Sequence, residues 1–124
     1  MRETEGEPTS LAVEATPSLD MIFEVLSNRR RRHALYYLYD QPDGVATIEE
    51  LTAAVVAGVE ESSTGREDVT ERLDRIRTEL HHVHLPKLED VGVVERDQRS
   101  ETVRYWTQPS LEEWLEHAKH KERS

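Results

Sequence analysis

The sequence predicts a mainly α-helical domain that carries one β-hairpin close to its C-terminal end. A capping residue stands before each stretch whose apolar residues recur at helical spacing. Two β-prone runs, "VGVVERD" (91–97) and "ETVRYWT" (101–107), are joined by "QRS", which is typical of a hairpin. The 124 residues include no cysteine, so a hydrophobic core must hold the domain together without disulfides.

Two helices are predicted first. Ser18 is the expected N-cap of a short helix over 19–26, and Asn28 is the expected N-cap of a second helix that ends near Asp40. Both side chains carry an oxygen that can accept from the N–H groups of a first helical turn. The sequence "QPDG" (41–44) then predicts a turn.

Three capping boxes, in which Ser or Thr precedes Glu by three residues, predict the remaining helices. They are Thr47 with Glu50, Thr64 with Glu67, and Ser110 with Glu113. The first box opens a helix that stops near Gly58. The second opens a long helix around 65–84, and the third opens the last helix of the chain.

The order of these elements predicts a winged helix-turn-helix domain with a two-stranded β-wing and an extra C-terminal helix. The wing strands are expected near 93–97 and 102–107. We expect residues 1–17 to form a disordered acidic tail and residues 18–108 to form the domain. Residues 109–124 form the last helix, a candidate dimerisation element.

The stretch "HLPKLEDVGVVERD" (84–97) resembles the end of a recognition helix and the start of the wing in regulators of the arsenic-repressor and multiple-antibiotic-resistance types. Together, "IFEVLSNRRRRHALYYL" and "HHVHLPKLEDVGVV" resemble an uncharacterised family of short haloarchaeal winged-helix proteins over residues 19–107. The resemblance implies the fold and a DNA-binding transcription regulator. Gly92 fits a helix C′ position with positive φ, whereas Pro86 departs from the pattern and should kink or restart the helix.

The charge of the chain indicates its environment. The formal net charge is −10, and only Lys87, Lys119 and Lys121 are lysines. An acidic, lysine-poor surface suits a cytoplasm of very high salt, where self-repulsion is screened over about 3 Å at 1 M. An ordinary acidic protein is the alternative. No apolar run is long enough to span a membrane, and the first ten residues do not resemble a signal peptide, so we expect a cytoplasmic protein without membrane contact.

Four consecutive arginines, Arg29–Arg32, form what we call the arginine collar. At about 100° per residue they fan around most of a helix rather than forming a patch. Arg31 shares its direction with Leu35 and Leu38, so we expect it to be buried and paired. Arg29 and Arg32 point away from these leucines with Tyr36 and are expected to be exposed, where they either contact DNA phosphate or form salt links.

The long helix carries the candidate DNA-reading residues. Its apolar stripe is Val69, Leu73, Ile76, Leu80 and Val83. Off that stripe lie the residues expected to face bases, which are Arg75, Arg77, Thr78, His81 and His82. Arginine can bind guanine in a bidentate manner, and threonine can contact a thymine methyl group. The wing adds Arg96, Arg99 and Arg104, and Arg99 at the tip is expected to contact the backbone.

Two functions stay open, namely a DNA-binding regulator and a protein-interaction module on the same scaffold that does not bind DNA. Neither a phosphate loop nor a catalytic motif is present, so we expect no enzyme and no cofactor. The histidine pairs in "HHVH" and "HAKH" are incomplete as metal sites, so no metal is expected either. The last helix predicts either packing on its own domain or a homodimer seam made of Leu111, Trp114, Leu115 and Ala118.

Overall fold

The computed structural model describes residues 18–59 and 68–123. Its helices and strands in chain order are α1 (Leu19–Leu26), α2 (Arg29–Asp40), β1 (Val45–Thr47), α3 (Ile48–Val59), α4 (Val69–Glu79), a π-helical turn (Leu80–His84), α5 (Leu85–Asp90), β2 (Val94–Asp97), β3 (Thr102–Tyr105) and α6 (Pro109–Arg123). The architecture is mainly helical with a small antiparallel sheet, as predicted. The expected disordered tail at 1–17 and the Thr64–Glu67 capping box lie outside the described residues.

The sheet has three strands in the order β1-β3-β2, so the predicted two-stranded wing is one strand short. The hairpin of β2 and β3 lies where expected, with Val94 opposite Tyr105 and Asp97 opposite Thr102. The unexpected strand, β1, pairs antiparallel with β3. Its three residues are too few to produce a periodic pattern in the sequence, and pairing across the sheet is what makes them a strand.

The first two helices begin at the predicted caps. The Ser18 side chain accepts from the Met21 N–H, and the Asn28 side chain accepts from the N–H groups of Arg30 and Arg31. The capping box of Thr47 and Glu50 is also formed. The Thr47 N–H donates to the Glu50 carboxylate at 2.9 Å, and the Glu50 N–H donates to the Thr47 hydroxyl at 3.0 Å. These caps are local in sequence, which is why the sequence predicted them.

The last helix begins one residue before the predicted cap. Pro109 is its first residue, so Ser110 lies inside the first turn, and Glu112 accepts from the Gln108 N–H instead. Proline suits the first helical position because its φ is already helical and its missing N–H would have no intrahelical partner.

Arg31 is buried, at 8% exposure, as predicted from its direction. Its guanidinium donates from Nε to the carbonyl of Val25 at 3.1 Å and from Nη2 to the carbonyl of Glu24 at 2.9 Å. These carbonyls belong to the last turn of α1, where helical carbonyls lack the regular intrahelical partner, and the Glu24 carbonyl also accepts from the N–H and hydroxyl of Ser27. Arg31 therefore joins α1 to α2 and places a positive charge at the negative end of the α1 dipole.

The helix that starts at Val69 continues without a break to Asp90, six residues past the predicted end near 84. Its middle turn, Leu80–His84, is π-helical, and the Leu85 N–H donates to the Leu80 carbonyl. Pro86 follows directly and has no N–H to donate. The wider turn lets the helix pass the proline instead of ending there.

The predicted apolar stripe is correct in its middle and wrong at its two ends, which are Val69 at the first residue of α4 and Val83 inside the π-helical turn. Ile76 and Leu80 are buried as expected, but Val69 is 61% and Val83 is 53% exposed. His84 and Leu85 are buried in the place expected for Val83. A π-helical turn holds one extra residue, so every later side chain is rotated by about one position relative to a regular helix.

A Schellman motif ends the long helix at Gly92, whose φ is +80° as predicted. The Gly92 N–H donates to the Glu89 carbonyl, and the Val93 N–H donates to the Leu88 carbonyl at 3.1 Å. Leu88 and Val93 are both buried. The motif therefore turns the chain directly from the long helix into β2.

The last helix packs against α1 and α2. Leu111 and Leu115 are at most 1% exposed, so they belong to the core of their own domain and cannot form the predicted dimer seam. Ala118 is partly buried against the same core. Of the four predicted seam residues, Trp114 alone remains exposed, at 38%. The packing alternative is therefore the correct one for these leucines.

We predict that Arg31→Ala lowers the free energy of unfolding by about 2 kcal/mol, because it removes two charge-assisted hydrogen bonds, one of them to the Val25 carbonyl in the buried end of α1. Denaturant unfolding at fixed salt measures this. Arg99→Ala at the exposed hairpin tip is the matched control, and it should change stability by less than about 0.5 kcal/mol. Equal effects of the two substitutions would contradict the capping role.

His84 predicts a pH dependence of stability. It is buried, its Nε2 lies 3.5 Å from Glu79, and burial lowers the pKa of His84 below its usual 6.5. The unfolded chain therefore binds a proton more readily than the folded one. The stability that neutral His84 supplies is complete above pH 6.5 and is lost as the pH falls through the folded pKa.

We expect the free energy of unfolding to fall less steeply between pH 7 and pH 5 in His84→Gln than in the wild type. Denaturant unfolding at each pH gives the two slopes. His82→Gln removes an exposed imidazole from the same helix and should keep the wild-type slope. If His84→Gln also kept it, the buried imidazole would not be the group responsible.

Candidate nucleic-acid interface

Three of the predicted DNA-reading residues share one exposed face of the long helix. Arg75, Thr78 and His82 are exposed and follow each other at spacings of three and four residues. Arg75 and Thr78 lie on α4, and His82 lies on the π-helical turn. Arg99 is exposed at the tip of the β2–β3 hairpin, where its N–H donates to Asp97. The structure thus brings the first three together and keeps Arg99 on a separate projection.

Arg77 is paired with two carboxylates from other elements. Its guanidinium lies 2.8 Å from Glu49 at the start of α3 and 3.2 Å from Glu101 in the hairpin loop. It therefore links the long helix, α3 and the wing. To bind a base, Arg77 would have to exchange both partners, so its predicted reading role requires rearrangement.

His81 is partly buried rather than presented on the exposed face. Its carbonyl lies 3.4 Å from Arg96 Nη1, and the same arginine donates to Glu89 at 3.0 Å. His81 and Arg96 line a cavity of about 310 Å³ between the long helix and the wing, together with Asp97 and Glu101. Arg96 thus holds the hairpin against the helix and is not a free cation of the wing.

Arg29 and Arg32 lie elsewhere, against the last turn of α6. Both Nε and Nη2 of Arg32 donate to the Glu122 carboxylate at 2.9 Å, and Nη1 donates to the Leu26 carbonyl. Arg29 lies 3.8 Å from the same carboxylate. The prediction of two exposed arginines is therefore wrong for Arg32, whose side chain is only 20% exposed, and holds only in part for Arg29, a residue of intermediate exposure. The face that Arg32 shares with Tyr36 is covered by α6, whose position the helical direction alone does not reveal.

The charges around the exposed face are mixed. Glu71 and Asp74 lie on the same helix and are exposed, and Glu95 and Asp97 are exposed on the wing. Arg104 on β3 lies over the ring of Trp106, with its Cζ 5.4 Å from the ring centroid. Such a surface has no basic stripe to attract phosphate from a distance in dilute salt. Any contact with a nucleic acid here depends on close packing and on individual side chains.

Glu122 is the residue that the sequence reasoning missed. It accepts from Arg32 and from the Tyr36 hydroxyl at 2.6 Å, and the Arg32 hydrogen bond holds the pKa of Glu122 at about 2. A signal was present, because Leu111, Leu115, Ala118 and Glu122 recur at spacings of four, three and four along one helical face. Glu122 thus lies on the same helical face as the buried leucines, at the exposed end of that face.

Sites of other kinds find little support in the part of the chain that the structure describes. No group of three His, Asp or Glu side chains within residues 18–59 and 68–123 is arranged to hold a metal ion. No helix in these ranges is long and apolar enough to cross a membrane.

Comparison with known proteins gives a family but no activity. No curated protein and no solved structure matches the chain. The model of a domain of unknown function, DUF7344, matches residues 23–104, which is more than half of the sequence. That range contains α2, β1, α3, the whole long helix, β2 and all of β3 except its last residue, while α6 lies outside it. The chain therefore belongs to the DUF7344 family.

Proposed function

We propose that this protein is a DNA-binding transcription regulator of winged helix-turn-helix type from a halophilic archaeon. The observation that carries the proposal is the exposed row Arg75, Thr78 and His82, which stands on one face of a helix beside a projecting hairpin. These side chains can reach base edges in a major groove, where arginine discriminates guanine and threonine contacts thymine. Arg99 at the hairpin tip would contact the DNA backbone.

The order of the elements supports this reading. A helix, a short strand, two further helices and a hairpin follow each other, and the short strand joins the hairpin in one sheet. The long helix packs against α3, as the second helix of a helix-turn-helix packs against the first. In such motifs the second helix enters the major groove, and this supports the same role for the long helix in our proposal.

The net charge of −10 agrees with the proposal if the protein works in concentrated salt. Affinity from counterion release falls steeply with salt for any protein, so at molar salt phosphate attraction contributes little. Base contacts and packing must then supply the affinity. The small exposed row would be sufficient only as part of a larger contact that includes the wing.

We expect Arg75→Ala to weaken binding to a selected duplex by roughly 1–3 kcal/mol and to relax the preference at one base pair. Arg99→Ala should instead weaken all sequences alike and flatten the salt slope by about one, because a phosphate contact carries no sequence information. Fluorescence anisotropy over a salt series that keeps the protein folded measures both effects.

Lys121→Ala on α6 is the control for these two variants. It removes one exposed positive charge at a distance from the proposed face, so it should leave base preference unchanged. If the wild type selects no sequence from a random duplex pool at any salt concentration, the regulator proposal fails. The second candidate then becomes the better one.

The second candidate is a protein-interaction module, and an exposed aromatic pair favours it. Phe23 of α1 and Trp114 of α6 meet edge to face, with ring centroids 5.1 Å apart, although they are 46% and 38% exposed. Leu19, on the same helix as Phe23, is 53% exposed. Aromatic side chains of this kind are enriched in protein interfaces.

We propose that this aromatic patch, Leu19, Phe23 and Trp114, is the homodimer seam in place of the buried leucines. This dimer fits both candidates, because it is itself a protein interaction and, in the DNA-binding candidate, a two-fold dimer would suit a palindromic operator. We expect Trp114→Ala to lower the dimer fraction at micromolar concentration in light scattering, because it removes the largest exposed apolar side chain of the patch. Trp106→Ala, which removes an exposed tryptophan directly after β3, is the control. A wild type that stays monomeric at all concentrations would contradict the dimer.

A further inference from the structure

The Glu122 carboxylate lies at the meeting point of four side chains from α2. Both nitrogens of the Arg32 fork donate to it at 2.9 Å, and the Tyr36 hydroxyl donates at 2.6 Å. Arg29 Nε and His33 Nε2 lie 3.8 and 3.9 Å from its Oε2 atom. The four donors belong to two successive turns of one helix, so the backbone of α2 alone places them on the same face.

One carboxylate does not use all of these donors. Its two oxygens satisfy Arg32 and Tyr36, but they remain outside hydrogen-bond distance of Arg29 and His33. The His33 Nε2 atom is buried and has no hydrogen-bond partner within the described part of the chain. In the tautomer that carries a proton on Nε2, His33 therefore has room for an acceptor atom that the carboxylate does not supply.

A phosphate group supplies what is missing. It has more acceptor oxygens than a carboxylate, and these are arranged as a tetrahedron rather than a plane. Arginine binds phosphate and carboxylate with the same planar fork, so Arg32 could exchange one for the other without a change of geometry. The set also lies at the positive end of the α2 dipole, which favours an anion.

The His33 ring is held in place from behind by α3. A Cβ on Gly58 would lie 2.3 Å from His33 Nδ1, so the ring rests against the backbone of this helix. Its exposed fraction is 18%, and Arg32 is similarly enclosed at 20%. His33 is thus fixed by packing against α3, and Arg32 is also held by the Leu26 carbonyl, so neither side chain is placed by Glu122 alone.

We infer that Arg29, Arg32, His33 and Tyr36 form a binding site for a phosphate-type oxyanion, and that Glu122 occupies this site as an internal competitor. In this state α6 is docked and the site is closed. Displacement of Glu122 by a phosphate group would free the last turn of α6 while its buried leucines, Leu111 and Leu115, keep the rest of the helix in place. The inference does not depend on the proposed function.

The test compares Glu122→Ala with the wild type in titrations of inorganic phosphate at constant ionic strength, followed by nuclear magnetic resonance shifts of the Arg32 Nε and His33 ring signals. Without the competing carboxylate, the variant should bind phosphate at least about tenfold more tightly than the wild type. Its melting temperature should rise with phosphate by more than that of the wild type. Glu122→Gln carries the same test if the alanine variant does not fold.

Two controls make the result specific. Glu116→Ala removes a carboxylate from the same helix, where it accepts from the Tyr39 hydroxyl, and it should gain no phosphate affinity. The double variant Arg32→Ala, Glu122→Ala should lose the gain. A phosphate affinity that is unchanged in Glu122→Ala and Glu122→Gln, or that rises equally in Glu116→Ala, would overturn the inference.

A further arm distinguishes the source of the phosphate group. Random-sequence duplex DNA is titrated into the wild type and Glu122→Gln at the same ionic strength. Tighter DNA binding by the variant would identify the nucleic-acid backbone as a ligand of this site. Tighter binding of inorganic phosphate alone would assign the site to a small anion and would leave the proposed DNA-reading face to its own test.

Discussion

The structure depends on the way in which the arginine collar distributes four cations around one end of α2. Arg31 donates to the last carbonyls of α1, Arg30 pairs with Glu79 of the long helix, and Arg32 pairs with Glu122 of α6. The same helix, α2, packs against α1, α3, α6 and β3, so it lies at the centre of the domain's contacts. Consecutive residues of a helix point in different directions, so four adjacent arginines can serve three different elements.

This arrangement changes the meaning of the most basic stretch in an acidic chain. A run of four arginines suggests nucleic acid, but two of them are used to hold helices together and a third is bound by Glu122. Burying a guanidinium is costly unless hydrogen bonds satisfy it, and both Arg31 and Arg32 obtain carbonyl or carboxylate partners. The proposed DNA contact therefore rests on isolated residues of the long helix and the hairpin. Arg29 and Arg32 of the collar belong instead to the inferred oxyanion site.

The π-helical turn is the second feature that links fold to candidate site. It rotates the helix so that His84 is buried beside Glu79 while Val83 and His82 are exposed. The turn thereby leaves His82 exposed, where it could face a ligand, and buries His84, whose protonation makes stability depend on pH. Pro86 is its local cause, because a regular helix would require an N–H at that position.

The sequence by itself determined those features that depend only on interactions between residues close together in the chain. The caps at Ser18, Asn28 and Thr47, the turn before β1, the positive φ of Gly92 and the hairpin are all set by residues within a few positions of each other. The burial of Arg31 also followed from the sequence, because its direction relative to Leu35 and Leu38 is fixed by helix geometry alone.

Only the tertiary structure decided which helical faces are covered. The third strand exists because β3 pairs with three residues more than fifty positions earlier, and Arg32 is enclosed because a carboxylate ninety residues later reaches it. The exposure of Val83 required knowledge of the extra residue in the π-helical turn. Periodicity gives the direction of a side chain on its own helix, but the partner that meets it is set by how distant elements pack.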